Sequence, residues 1–399
     1  MRSVLFLLTQ DLESPSGLGR YWPLARGLAS LGYQVSVAAL HSNYQALEQK
    51  RFVRDGVDIQ YVAPMHVMKR GSQKYYFSPA KLLQVSINAT IALYRAAVQT
   101  PADVIHIGKP HPMNSIAGLL ARQTRKKVFV DCDDYEIGVN RFQKTWQKWI
   151  IHQFEQFVPR KADLVTTNTY FTRDRLLHTG VAENKVVYLP NGVERDRFPE
   201  LDRVKAEKIK ADYGLQGKKI VVYVGTLGIT AHPINLLLEA FQQVTQTVPE
   251  SRLVLVGGGE DHQTLKDMAC QLGIADQVLF VGRVPPDQVS LYYQIANVSV
   301  DPVYDDPAAR GRSPLKMFES WAAGTPFVTA DVGDRKILAG TPAAALLARP
   351  GDPQALALAI QSVLTQENVA ASLSSTGTKR VEQFYWDRIV AECHSFYQR

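Results

Sequence analysis

Cysteine is scarce. Cys132, Cys270 and Cys393 stand far apart in 399 residues. An odd number at such spacing excludes a disulfide framework and a zinc ribbon, and it suits a reducing compartment. Long apolar runs are also missing. The charge-free stretch 220–238 is interrupted by Gly225, Gly228, His232, Pro233 and Asn235, so it is no membrane span. At the start, the apolar run 4–8 gives way to Thr9, Gln10 and Asp11, whereas a signal peptide needs roughly 7–15 apolar residues. These absences predict a cytoplasmic protein. Short-period repeats and low-complexity tracts are absent too. With 46% hydrophobic and 21% charged residues, the composition excludes a largely disordered chain.

Acidic residues are thin in one half only. Residues 1–190 carry 24 Lys and Arg against 14 Asp and Glu, a net +10; residues 191–399 carry 21 against 24, a net −3. The first half is therefore expected to meet a polyanion. No nucleic-acid module is recognisable, which sets nucleic acid aside. In segment 69–77, Lys69, Arg70 and Lys74 interleave with Tyr75, Tyr76 and Phe77, and Lys81 follows. Cations beside interfacial aromatics fit an anionic membrane surface, so peripheral attachment to the inner face of a membrane is an expectation.

Short runs rich in Val, Ile and Phe alternate with helical patterns. Strands are predicted at 4–8, 35–40, 104–107, 128–131 and 164–167, with helices at 18–31, 115–122 and 146–158. The pattern restarts with strands at 220–224, 253–256, 278–281, 298–301 and 327–330, and helices at 234–248, 263–272 and 314–323. Unbroken apolar strands alternating with helices imply parallel sheets covered on both faces. The expected fold is α/β: two doubly wound, Rossmann-like domains facing across a cleft. The joint is the turn-rich Leu189-Pro190-Asn191-Gly192, giving domains 1–190 and 191–383. Ligands in such sheets sit beyond the carboxyl ends of the strands, so the residues just after each strand matter most.

After the first strand comes Gly17-Leu18-Gly19, but Trp22 occupies the third glycine position of a dinucleotide fingerprint, and no acidic residue ends the second strand. A dinucleotide cofactor is therefore disfavoured. A glycine turn opening a helix can instead receive an anion or a sugar. Gly257-Gly258-Gly259 follows another strand and could let backbone approach a ligand.

Residues 311–330 are the most informative: Gly-Arg-Ser-Pro-Leu-Lys-Met-Phe-Glu-Ser-Trp-Ala-Ala-Gly-Thr-Pro-Phe-Val-Thr-Ala. Ser313 is expected to cap a helix with Pro314 as its first residue. The free N–H groups of that helix start would favour a phosphate. Lys316 and Glu319 lie three apart, on one face. Lys suits a phosphate and Glu suits paired ribose hydroxyls; an ion pair on a solvated helix is the alternative.

This segment resembles the donor-binding signature of the retaining glycosyltransferases of the GT4 family, which have the GT-B fold. Further similar pieces follow in the same order: the Gly17/Gly19 loop, Leu189-Pro190-Asn191-Gly192-Val193, Val224-Gly225-Thr226-Leu227, Val256-Gly257-Gly258-Gly259 and Val281-Gly282-Arg283-Val284. Phe384-Tyr385-Trp386 opens a last helix, about 384–399, which in that family packs back on the first domain. The resemblance implies a nucleotide-diphosphate sugar as donor, a carbohydrate or lipid-linked acceptor on the side of the first domain, and no metal or other cofactor. Donor binding falls to Gly17, Gly19, Gly225, Thr226, Gly258, Arg283, Val284, Arg312, Ser313, Pro314, Leu315 and Glu319. Lys316 is the expected charge stabiliser at the leaving phosphate, and His106 and His111 are acceptor-side candidates.

The sequence departs from the family at three places. Gly311 stands where a first glutamate is common, Thr226 and His232 stand where an Arg and a Lys hold phosphate, and Asp131-Cys132-Asp133-Asp134 stands where a histidine is usual. Arg310 and Arg312 could replace the missing cations. Asp133 takes the histidine's place as the expected catalytic group, with Asp131 and Asp134 as rivals; mutual repulsion predicts a raised pKa for one of them. The alternatives are a nucleotide-sugar epimerase of the same architecture, which would need an acid–base set around the sugar, and a non-catalytic nucleotide-binding protein.

Overall fold

The computed structural model describes residues 2–70, 73–139, 144–230 and 232–398. The chain divides into two compact units. One comprises Met1–Gly192, Gly311–Ser313 and Trp386–Arg399; the other comprises Val193–Arg310 and Pro314–Tyr385.

The first unit contains β1 (Ser3–Leu8), α1 (Trp22–Ser30), β2 (Gln34–His41), β3 (Arg51–Arg54), β4 (Val57–Pro64), the hairpin β5 (Val67–Arg70) and β6 (Gln73–Tyr76), α2 (Pro79–Gln99), β7 (Val104–Gly108), α3 (Pro112–Ala121), β8 (Lys127–Cys132), α4 (Glu136–Val139), α5 (Thr145–Lys161), β9 (Leu164–Thr167), α6 (Tyr170–His178) and β10 (Val186–Tyr188). Its main sheet runs β10-β9-β8-β7-β1-β2-β4-β3. All pairs are parallel except β3 with β4. The order reverses between β1 and β7, and the chain beyond those strands is where ligands gather in such sheets.

Two apolar layers cover this sheet. On one side, Leu24 and Leu28 of α1 pack with Ile389, Val390 and Cys393 of the C-terminal helix Trp386–Gln398. Gly27 permits the approach, since a Cβ there would lie 2.6 Å from the Val390 side chain. On the other side, Ala89, Leu93 and Ala96 of α2, Ala117 of α3 and Val158 of α5 cover Leu5, Leu7, Ile105 and Val128.

The sequence reading omits β3 to β6, β10 and the 21-residue α2. In β4, Val57, Ile59, Tyr61 and Ala63 point inward while the residues between them are only half-buried. That is a period of two, which a search for unbroken apolar runs passes over. α2 hides for the opposite reason: it is apolar on its solvent side too, which blurs the helical period. The helix expected at 18–31 begins as a π-helical turn, Gly17–Tyr21, that feeds α1.

The second unit contains β11 (Lys219–Val224), β12 (Ser251–Val256), β13 (Val278–Gly282), β14 (Val298–Val300), β15 (Phe327–Ala330) and β16 (Leu346–Ala348), ordered β13-β12-β11-β14-β15-β16 and parallel throughout. Here the order reverses between β11 and β14. β16 extends the expected sheet by one edge strand.

One expected cap needs correcting. The helix runs Leu315–Ala322 and its N-cap is Pro314, whose ψ of 79° is not helical. Ser313 thus sits one residue too early to cap the first turn. Its hydroxyl oxygen is buried and has no hydrogen-bond partner among the described residues.

Candidate active site

In the second unit, the centre forms just beyond β14. Asp301 accepts two cations: Lys316 Nζ lies 3.0 Å from Oδ1 and Arg335 Nη2 lies 3.0 Å from Oδ2. Burial alone would raise the Asp301 pKa. Lys316, Arg335 and His232 overcome it and hold the carboxyl well below the usual range. Two cations against one carboxylate leave the trio net positive. Arg335 is itself buried and is tied further by the carbonyl of Val332 at 3.2 Å.

Gly225 shapes the space beside Lys316. Its φ is +154°, and a Cβ there would lie 2.9 Å from Lys316 Cε and from the Tyr223 hydroxyl. A glycine is what lets the lysine lie across the end of β11. Its ammonium also sits 5.1 Å from the centre of the Tyr223 ring. Glu319 does not pair with Lys316. It accepts from the Tyr293 hydroxyl at 3.0 Å and from Arg197 at 3.3 Å.

The glycine run after β12, which includes the donor candidate Gly258, packs against the loop that follows β11. A Cβ on Gly257 would lie 1.8 Å from the Gly225 carbonyl, and one on Gly259 would lie 2.0 Å from the Leu227 carbonyl. These glycines let two loops pack backbone against backbone. Leu227 N–H donates to Gly258 O at 3.2 Å. Thr226 is exposed and its carbonyl accepts from Tyr223. Arg283 is exposed, and Val284 packs against the cluster that holds Val256. Leu315 and Arg312 are half-buried, Pro314 is buried, and Arg310 pairs with Asp305 at 2.6 Å.

In the first unit, charge is arranged the other way round. Lys109 leaves β7 with φ +62°, a left-handed conformation costing a non-glycine residue about 1–2 kcal/mol. Asn114 braces that turn by donating to the carbonyls of Leu7, Gly108 and Lys109. The Lys109 ammonium then reaches Asp134 at 2.6 Å, Glu136 at 2.8 Å and Asp133 at 3.4 Å. His111 joins this cluster through Glu136 at 3.0 Å and Thr9 at 2.9 Å. The three carboxylates lie within metal-ligand reach of one another. The Lys109 ammonium already supplies the cation that their charge calls for.

Asp133 differs from its neighbours. Burial, with added repulsion from Asp134 and Asp131, outweighs Lys109 and pushes its pKa up to about 8. Its surroundings favour the protonated form, which offers a hydrogen-bond donor. Glu136 goes the other way: burial opposes ionisation, but Lys109 and His111 hold it well below the usual range. Asp131, a rival in sequence, is committed elsewhere. Arg20 clasps both its oxygens at 2.6 Å, Thr166 donates at 2.5 Å, and Arg20 also reaches Asn191 at 2.7 Å.

Two expectations change here. His106 does not line an acceptor surface: it is 0% exposed, stacked on Phe6, and paired with the Tyr397 hydroxyl at 2.7 Å. It points inward because β7 is covered on both faces, and burial lowers its pKa to about 4. Gly17 folds on its own chain, since a Cβ would lie 2.4 Å from the Asp11 carbonyl; Gly19 follows half-buried in the same turn. The segment 69–77 lies partly outside the described residues, which exclude Gly71, Ser72 and the side chains of Lys69, Arg70, Gln73, Lys74 and Tyr76.

Sequence reasoning missed Asp301, Arg335 and Glu136, and it gave Lys109 no role. For Asp301 a signal existed: an acidic residue directly after a strand at the point of reversal. Arg335 and Glu136 carried none, because only packing makes them partners.

The family model for "Glycosyl transferases group 1" matches residues 205–380, and that for "Glycosyl transferase 4-like domain" matches residues 16–192. The chain is a GT-B glycosyltransferase related to the GT4 family. This glycosyltransferase moves a sugar from a nucleotide-diphosphate sugar to an acceptor. It is 23% identical over 325 residues to the GDP-mannose-dependent alpha-(1-6)-phosphatidylinositol monomannoside mannosyltransferase of Mycobacterium tuberculosis, covering 80% of this chain and 81% of that one. It is 26% identical over 393 residues to mannosylfructose-phosphate synthase of Agrobacterium fabrum, covering 92% and 83%. The fold matches sucrose-phosphate synthase from Thermosynechococcus elongatus with a TM-score of 0.79, at 19% identity, over 100% of this chain and 98% of that one. Among the described residues, no helix of the glycosyltransferase is long and apolar enough to cross a membrane.

Proposed function

We propose that this glycosyltransferase transfers a hexosyl unit with retention of configuration, and that Lys316 stabilises the leaving diphosphate. The bond from the anomeric carbon to the phosphate oxygen breaks, and the acceptor oxygen bonds to that carbon. The acceptor's proton passes to the leaving phosphate, so no strong protein base is needed. Negative charge grows on the phosphate as the bond breaks, and preorganised cations are the largest electrostatic aid to such a step. The observation that carries this reading is the net-positive Lys316–Asp301–Arg335 trio at the point where the sheet order reverses. Asp301 and Arg335 fix Lys316 before the donor arrives, so little reorganisation is left to the reaction.

Glu319 is assigned to the ribose hydroxyls, with Tyr293 and Arg197 holding its carboxylate in place. Ser313, with its buried hydroxyl still seeking a partner, is assigned to the donor phosphates. Asp133 is assigned to a hydroxyl of the reacting sugar, as a protonated donor. The proposed acceptor is lipid-linked or membrane-proximal, and the mycobacterial relative carries a phosphatidylinositol mannoside in its name. A thermal-shift screen against UDP, GDP, ADP and their sugars tests the donor assignment. A nucleotide at 100 times its Kd adds about 2.7 kcal/mol of stability. That gain should be lost in Lys316→Ala; equal shifts in both proteins would move the donor elsewhere.

A further inference from the structure

The helices α2, α3 and α5 lie side by side on one face of the first unit's sheet, and each exposes large apolar residues among its polar ones. On α2, Leu83, Ile87 and Ile91 follow one another four residues apart and are 62%, 51% and 45% exposed. On α5, Trp146, Trp149 and Phe157 form a second stripe, with Trp149 62% exposed. Ile116 and Leu120 of α3 lie between. A soluble helix normally keeps its large apolar residues on the buried face, so three adjacent helices that also expose such residues mark a contact surface.

The charge on these elements names the partner. α2 and α3 contain no Asp or Glu, and α5 contains only Glu155. Against that stand Lys81 and Arg95 on α2, and Lys144, Lys148, Arg160 and Lys161 on or beside α5. Exposed Trp and Phe among cations are the composition of a surface that enters the headgroup layer of an anionic membrane. A protein partner of ordinary composition would not require one sign of charge throughout.

We infer that the outer face of α2, α3 and α5 docks on an anionic lipid bilayer, with Trp146, Trp149 and Phe157 at the level of the headgroups. This rests on the reading of a membrane-proximal acceptor, and it places the anchor on the helices instead of on the hairpin 67–76.

Tryptophan fluorescence of the full chain tests it directly. Of the five tryptophans, Trp22, Trp321 and Trp386 are buried, so quenching by brominated lipid reports on Trp146 and Trp149. With vesicles containing phosphatidylglycerol, quenching should appear, and co-sedimentation should grow with the anionic fraction and fall with salt. Trp146→Ser/Trp149→Ser should lower vesicle binding by about tenfold or more. Lys144→Ser/Lys148→Ser should lower it by roughly fivefold per cation. Donor hydrolysis without acceptor should stay at the wild-type rate in these variants, which separates loss of docking from failure of the assigned reaction. Equal binding to neutral and anionic vesicles would overturn the inference. So would wild-type binding by the double tryptophan variant together with loss in Lys69→Ser/Arg70→Ser/Lys74→Ser, which would put the anchor on the hairpin. A concentration-dependent dimer that buries the two tryptophans and ignores vesicles would overturn it as well.

Discussion

The two units gather buried charge in opposite senses. Beyond β14, one carboxylate, Asp301, is shared by Lys316 and Arg335. Beyond β7 and β8, one ammonium, Lys109, is shared by Asp133, Asp134 and Glu136. Burial is the largest influence on both Asp301 and Asp133, and it pushes both upward. Only the neighbours differ. Two cations drag Asp301 well below its ordinary value, whereas like charges leave Asp133 at about 8. Burial thus makes a group responsive, and the sign of its surroundings decides the outcome.

The sharpest way to break this comparison is Asp301→Asn. It leaves Arg335 buried without its counter-charge, and losing one member of a buried pair costs about 3–5 kcal/mol. Chemical denaturation should show that loss, and Lys336→Ala, on the exposed side of the short helix Arg335–Ala339, should not. A loss below about 1 kcal/mol would mean that the carbonyls around Arg335 suffice. Lys316→Ala should fold normally and cut turnover by about 10²–10³, the scale of removing one preorganised charge stabiliser. Steady-state kinetics at saturating donor checks this, and unchanged kcat would remove Lys316 from the reaction.

Asp133→Asn sharpens the other half. Asp133 has a folded pKa of about 8, above its unfolded value, so its contribution to stability is present at low pH and lost as pH rises through 8. The asparagine variant should therefore gain melting temperature relative to wild type progressively between about pH 4 and pH 8, with the full gain at pH 9 and none near pH 4. The wild-type rate should fall above about pH 8 as the donor proton is lost, and this limb should vanish in the variant. A rate that rises through pH 8 would mean that the carboxylate is the working form. The smallest effect is expected from Glu319→Ala: a nucleotide Kd weaker by roughly tenfold, the scale of one or two lost hydrogen bonds, with kcat little changed. Titration calorimetry with the nucleotide alone reads it.

Much of the fold was legible in the sequence. Strands 164–167 and 327–330 coincide with β9 and β15 because both are fully buried runs of apolar and β-branched residues. The donor segment was legible as a pattern, with Lys316 and Glu319 one helical turn apart. What it could not tell was their partners. Spacing alone allowed an ion pair between them, but Lys316 turns to Asp301, fifteen residues earlier, and Glu319 turns to Tyr293 and Arg197.

The sequence by itself determined the alternation of strands and helices, the glycine at position 225 and the excess of positive charge in the first half. These are local or additive properties, fixed by side-chain shape and by counting. Tertiary structure alone decided which charges meet. It put His106 in the core against Tyr397, 291 residues away, and gave Asp131 to Arg20. It pushed the Asp133 carboxyl upward by burial beside like charges. A pKa depends on the distance to other charges and on exclusion of water, and neither exists until the chain has packed.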